Sequence, residues 1–450
     1  MRPAIGDLPR GPEYNPSLKT VVAIVEHLRR LDARLLAVPR RLQSLAIALT
    51  IAVMVVVSLP HVPRVWVDYS RMPILNRIEQ PDTYGPDTIG DRYEARVVLN
   101  DVADMYTKRQ VEQTPEEASH WSKEASAPYP PVVLLAEAAL HALGDRTGLE
   151  FYGLILVLAC LFIALSALYC ARTRWYLFPL LYLNFAYFSY RFVYVQDNTY
   201  LIMLVTVMAA LWLARAGRPA CHALMALAIT MKLSPLYYVR YLPTMKRSHA
   251  AIVVAILTVG LVAPYFIWDN YLYIFQFGNE NKGDRWYDLA GALALAIPFT
   301  GLLWHAETRL RFDAEDRIGW SLVPLAIFFA VKMNAARHLM IVLLVPDKHG
   351  LRNIAAAVAL ALNALLPDII RFNSTMYIAI AVLAAGLMIR VRSAVSASRT
   401  EARHLARPPG QPPPRLRRPA GASAKAGAER GRGASASDAV RGAGDAVLPG

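Results

Sequence analysis

Cysteine is almost missing from this chain: three residues in 450, Cys160, Cys170 and Cys221. Each lies in or at the end of an apolar segment, which excludes a disulfide framework and fits small buried hydrophobes. Also absent are Cys/His metal spacing, a Gly-rich phosphate loop and a nucleophile elbow, which argues against nucleotide-driven pumps and membrane hydrolases. Asp82, Asp87 and Asp91 form a loose acidic cluster with nothing to fix its geometry, so no metal is expected. Charge is scarce as well. Charged residues make up 18% of the chain, below the roughly 25% usual in soluble domains.

Apolar residues fill the space instead, at 55% of the chain, with 10% aromatics. Apolar runs recur from Ser44 to Arg390, several of them near the ~20 residues that cross a bilayer core of about 30 Å. Such crossings must be helices, because lipid satisfies no backbone polar group. The 48 Lys and Arg outnumber 34 Asp and Glu, for a net charge of +14. These cations stand in short bursts between apolar runs and in the two termini, the pattern of the positive-inside rule and not of a nucleic-acid binder.

The expected organisation has three parts. Residues 1–43 are basic and amphipathic; their 17–36 stretch predicts a helix on cytoplasmic headgroups or an ordinary linker helix, and no cleavable signal peptide is expected. Residues 44–395 form the membrane domain. Its first crossing, 45–59, leads to a long polar loop, 61–130, with 12 acidic and 8 basic residues, placed outside the cytoplasm because it lacks a basic excess. Crossings follow at 150–170, 175–192, 198–214, 219–231, 233–244, 250–268, 287–305, 317–333, 337–346, 352–369 and 375–390, about 12 in all within a range of about 10 to 13. Residues 132–143 are too short to cross and predict a re-entrant or half-buried helix. The pair broken at Lys232-Leu-Ser-Pro235 predicts a shallow hairpin entering and leaving by one side. Arg172, Arg174, Arg215, Arg218, Lys246, Arg247, Arg309, Arg311, Lys348, Arg352, Arg390 and Arg392 all fall on one side, with both termini in the cytoplasm of a plasma-membrane protein. Residues 396–450, rich in Pro, Gly, Ala and Arg, predict a disordered basic tail.

That topology gathers polar residues at the opposite face: Asp101 and Asp104 in the long loop, Gln196-Asp197-Asn198 at a turn, Lys232 at the hairpin tip, the 268–286 loop, and Arg337-His338 opening a short crossing. Ionisable groups near membrane depth are costly, so their convergence predicts a polar cavity. Asp104-Met-Tyr106, Tyr129-Pro130-Pro131, Gln196-Asp-Asn198, Met231-Lys232-Leu-Ser-Pro235-Leu and Arg337-His338 ahead of Leu343-Leu-Val-Pro346 resemble, in order and spacing, the polyprenyl-phosphate-dependent GT-C glycosyltransferases. The likeness is to the family 87 mannosyltransferase-like group, over about residues 45–390. Asp197 and Asn279-Glu-Asn281 depart from the pattern.

The resemblance implies an all-α GT-C-like bundle and an inverting hexosyltransferase. The sugar, mannose in the resembling group, would pass from a polyprenyl-phosphate donor to a lipid-linked or cell-envelope acceptor on the extracytoplasmic side. Asp104, or else Asp101, would take the acceptor proton. Lys232, Arg337 and His338 would meet the donor phosphate, with His338 a further acid/base candidate. Gln196, Asn198 and Tyr106 would bind the sugar. Snorkelling explains Lys232 and Arg337 without any ligand, and interhelical hydrogen bonds explain Gln196 and Asn198. A transporter or lipid flippase, or a non-catalytic member of the same fold, is the alternative.

Overall fold

The computed structural model describes residues 30–58, 130–147, 151–184, 198–268 and 286–405, with short pieces at 27, 98–99, 102, 109–110, 124–125 and 271. By internal contacts the chain divides into residues 1–395 and residues 396–450. Within the second unit, only 396–405 are described, and they are helical.

The described residues of the first unit are almost wholly helical. The helices are α1 Arg30–Leu36, α2 Arg40–Ser58, α3 Pro131–Thr147, α4 Phe151–Arg172, α5 Leu177–Asn184, α6 Asn198–Arg215 and α7 Ala220–Met231. A 3-10 helix, Ser234–Thr244, follows. Then come α8 Arg247–Ile267, α9 Trp286–Leu310, α10 Ala314–Ser321, α11 Val323–Lys332, α12 Arg337–Leu343, α13 Leu351–Leu365 and α14 Thr375–Leu405. Beside these, Arg109–Gln110 pairs antiparallel with Glu124–Ala125.

Among the described residues, three helices are long and apolar enough to cross a membrane: α8, residues Leu289–Leu310 of α9 and Thr375–Ser396 of α14; α1 and α2, bent by 94°, make a fourth if they form one span. Their outer faces carry apolar groups in the open, with Val259 71% and Phe266 78% exposed. Apolar surface of that extent belongs against lipid. α6 is the opposite case. Met203, Leu204, Val207, Met208 and Ala210 have no exposed area, as suits a helix that is apolar all round and packed on several sides.

The expected 150–170 crossing is one helix of 22 residues, the expected 175–192 crossing is described only to residue 184, and several others are shorter or broken. Apolar helices at Tyr200–Arg215, Ala220–Met231 and Leu351–Leu365 fall short of a full span. The expected 317–333 crossing is two helices joined at Leu322, with proline in the first turn of the second. The expected 233–244 crossing is 3-10 throughout, with Pro243 inside it. The 17–36 helix is described from Arg30, and the turn at 37–39 bends it away from α2.

The basic turns meet at one end of the unit. An Arg215 Nη2–H donates to the Arg172 carbonyl at 3.2 Å, and Arg174 donates to the Lys348 carbonyl. Arg174 also pairs with Asp32 at 3.0 Å, and Lys348 pairs with Asp313 and, at 2.9 Å, with Asp316. Buried Asp347 closes the turn before α13, accepting from the His349 and Arg352 backbone N–H groups at 3.0 and 3.1 Å. Burial pushes the Asp347 carboxyl up, but the Arg352 guanidinium and those N–H donors outweigh it and hold it below the usual carboxylate range.

The depth of α7 is marked by Gly260, in a π-helical turn of α8. A Cβ built there would stand 2.7 Å from Thr230 Cβ, so the close approach of the two helices requires glycine. Gly260→Ala should lower the unfolding midpoint in detergent, at a cost of about 1–3 kcal/mol. Adding Thr230→Ala should return part of that loss, measured by the temperature dependence of size-exclusion recovery.

Candidate functional site

α7 has 12 residues, so at 1.5 Å per residue it is about 18 Å long. It starts among the basic turns and is too short to make a full span. Lys232 caps it in an extended conformation, its N–H donating to the Ala228 carbonyl at 3.0 Å. Pro235 lies in the first turn of the 3-10 helix that follows and disfavours continuing the α-helix through this point. The chain therefore folds back at Lys232. Both feet of this hairpin, Cys221 and His222 on one side and Thr244 and Met245 on the other, line one cavity at the basic end, the shallow hairpin that the sequence led us to expect.

A second fold-back stands beside it. α11 ends in a Schellman turn: Asn334 has φ +45°, its N–H donates to the Val331 carbonyl at 3.1 Å, and the Ala335 N–H donates to the Ala330 carbonyl at 2.9 Å. Asparagine tolerates the left-handed conformation better than other residues with a side chain. The chain then re-enters as α12, which places Arg337 and buried His338 in its first turn.

Tyr200, in the first turn of α6, joins the two fold-backs. Its ring lies 3.4 Å from the Lys232 ammonium, measured to the ring centroid. Its hydroxyl is hydrogen-bonded to His338 Nδ1 at 2.8 Å. A cation–π contact at a half-buried site contributes about 1 kcal/mol. Lys232 is half-buried, while Tyr200 and His338 are buried. The arrangement can present a cation and an oriented imidazole to an anionic or polar ligand.

Trp268 stands at the far end of α8. It lies eight residues beyond Gly260, about 12 Å along the helix, and its indole N–H donates to the Val102 carbonyl at 2.9 Å. Val102 is the neighbour of Asp101 and stands two before Asp104. Val102 is thus tied by its main chain to the far end of α8.

No protein-family model, curated protein or solved structure matches the chain. Of the residues expected from sequence, Lys232 and His338 are brought together on Tyr200, with Arg337 adjacent to His338. Asp101, Asp104, Tyr106 and Gln196 lie outside the described residues, as does the side chain of Asn198. Among the described residues, no group of three or more His, Cys, Asp and Glu is placed to hold a metal ion.

Sequence reasoning missed Tyr200. It ends an aromatic-dense stretch, 175–200, and nothing in that run distinguishes it. A signal was available in its offset: two residues after Asn198, it sits in the first turn of the helix that opens at the polar face. Tyr200→Phe should keep the ring under Lys232 and lose only the bond to His338, whereas Tyr200→Ala should lose both. Unfolding midpoints in detergent should fall modestly for Phe, by about 1 kcal/mol, and about twofold to threefold further for Ala.

Proposed function

We propose that this chain is a membrane-embedded glycosyltransferase of the GT-C kind, transferring a sugar from a polyprenyl-phosphate donor to a lipid-linked or cell-envelope acceptor. The observation that carries the reading is the Lys232–Tyr200–His338 cluster, which holds a cation recessed among apolar helices. An ionisable group at such depth is by default a functional group.

In this reading the far end faces away from the cytoplasm, and the about 12 expected crossings include the short and broken helices, whose breaks line the cavity. The donor's phosphate sits against Lys232 and Arg337. As the glycosidic bond to the phosphate oxygen breaks, the electron pair leaves with the phosphate, and the two cations meet the developing charge. The acceptor oxygen attacks the anomeric carbon from the opposite side and passes its proton to the Asp104 carboxylate. His338, oriented by Tyr200, contacts the phosphate or the sugar.

A transporter or flippase is the second reading, favoured by one observation: two discontinuous helices meet at the cluster, as in carriers with broken spans. The full chain in lipid nanodiscs, given polyprenyl-phospho-mannose and cell-envelope lipid, separates the two. Glycosylated product is expected, with turnover reduced about 100-fold or more in Lys232→Ala and Asp104→Asn. Absence of product with each polyprenyl-phospho-sugar tried, together with transbilayer movement of the lipid in vesicles, would sink the transferase reading. Unchanged turnover in Asp104→Asn excludes that residue as the base.

A further inference from the structure

The opposite end of α7 has a charge problem of its own. A cavity of about 480 Å³ opens between the first turns of α7 and α8 and the side of α10, within the size range of small-molecule sites. Its lining includes Arg218, Lys246, Arg317, His222 and His249, and among the described residues contains no carboxylate. The two imidazole rings lie 5.4 Å apart.

Neighbouring carboxylates are engaged elsewhere. Asp313 and Asp316 pair with Lys348, Glu315 accepts from the Tyr169 hydroxyl at 2.5 Å, and Glu307 is held by Arg240 and Tyr241. Among the described residues, Arg218, Lys246 and Arg317 form no ion pair with a carboxylate. Arg317 instead donates to the Thr244 hydroxyl at 3.0 Å, which fixes its guanidinium at the wall.

Two helix starts add to the field. The N-caps of α7 and α8, Pro219 and Lys246, provide no side-chain acceptor for the first-turn N–H groups, and Lys246 itself lines the cavity. Uncapped helix N-termini favour anions. Like charges gathered without a counter-ion repel one another, and a bound anion relieves that repulsion.

We propose that this cavity is a binding site for a phosphate group, separate from the Lys232 cluster and about a helix length away from it. Arg317 supplies a fixed guanidinium fork, and Arg218 and Lys246 close over the phosphate from the exposed rim. The phosphate belongs either to an anionic lipid headgroup or to a soluble phosphate compound. The exposed apolar strip of α8 starting at Ile252, one turn above His249, would take the acyl chains of a lipid. The proposal does not depend on the transferase reading.

Native mass spectrometry of the full chain in detergent, with phosphatidic acid or phosphatidylcholine added, reads the lipid arm. Thermal unfolding with inorganic phosphate or pyrophosphate reads the soluble arm. Retention of phosphatidic acid over phosphatidylcholine by tenfold or more assigns a lipid phosphate; stabilisation by pyrophosphate or phosphate without that preference assigns a soluble one. In either case Arg218→Gln with Lys246→Gln, both exposed and so harmless to folding, should weaken the effect at least tenfold, while Lys232→Gln should leave it intact. Equal retention of the two lipids with no effect of phosphate or pyrophosphate overturns the proposal. So does a double variant that binds like the parent chain.

Discussion

Lys232 carries its charge at the tip of a hairpin that stops about two helical turns short of the far end of α8, and the surrounding arrangement follows from keeping a charge there. An ammonium half-buried among apolar helices is stabilised by polar or aromatic groups placed against it. Tyr200 supplies a ring face. Tyr200 in turn is held by His338, and His338 is in place because the Schellman turn at Asn334 sends the chain straight back into α12. Three elements distant in sequence are thereby locked to a single ring. Close approach of α7 and α8 at Gly260 sets the level at which this happens.

The basic end obeys a different economy. There cations and carboxylates are numerous and mostly paired. Arg174 reaches Asp32, Lys348 reaches Asp313 and Asp316, and Arg240 reaches Glu307. Pairs of this sort near a surface are individually weak. Arg174 also donates to the Lys348 carbonyl, so the first two pairs together hold α1, the turn before α5, the turn before α13 and the start of α10 at the end where α7 begins. Since α7 is about 18 Å long, the position of its foot decides the depth of its tip. The hairpin thus connects a crowded, salt-bridged end to a sparse, recessed one.

Much of this was legible in the apolar and basic patterning. The helical content followed from apolar runs that only helices can satisfy in lipid, and the fold-back at Lys232 followed from Pro235. Lys232 and His338 stood out because charged and titratable groups are rare in such runs. Helix lengths were less legible. Residues 317–333 read as one apolar stretch, but Pro324 and the turn at Leu322 split it, and 233–244 tightened into a 3-10 helix around Pro243. Tyr200 was harder to read for a different reason: its role comes from register between α6 and α7, and only its place two residues after Asn198 sets it apart from the other tyrosines of that run. The basic cavity was hidden likewise, since Arg218, Lys246 and Arg317 read as ordinary charges of positive-inside loops until packing put them around one space.

The central claim is that Lys232 lies in a recess open toward the far end, away from the basic turns. Side-resolved thiol labelling tests it most directly. In a background with Cys160, Cys170 and Cys221 replaced by alanine, Lys232→Cys and Lys348→Cys are exposed in sealed vesicles to a membrane-impermeant maleimide from one side at a time. The account predicts that Lys232→Cys is modified from the side opposite to the one that modifies Lys348→Cys. Modification of both from the same side would contradict it.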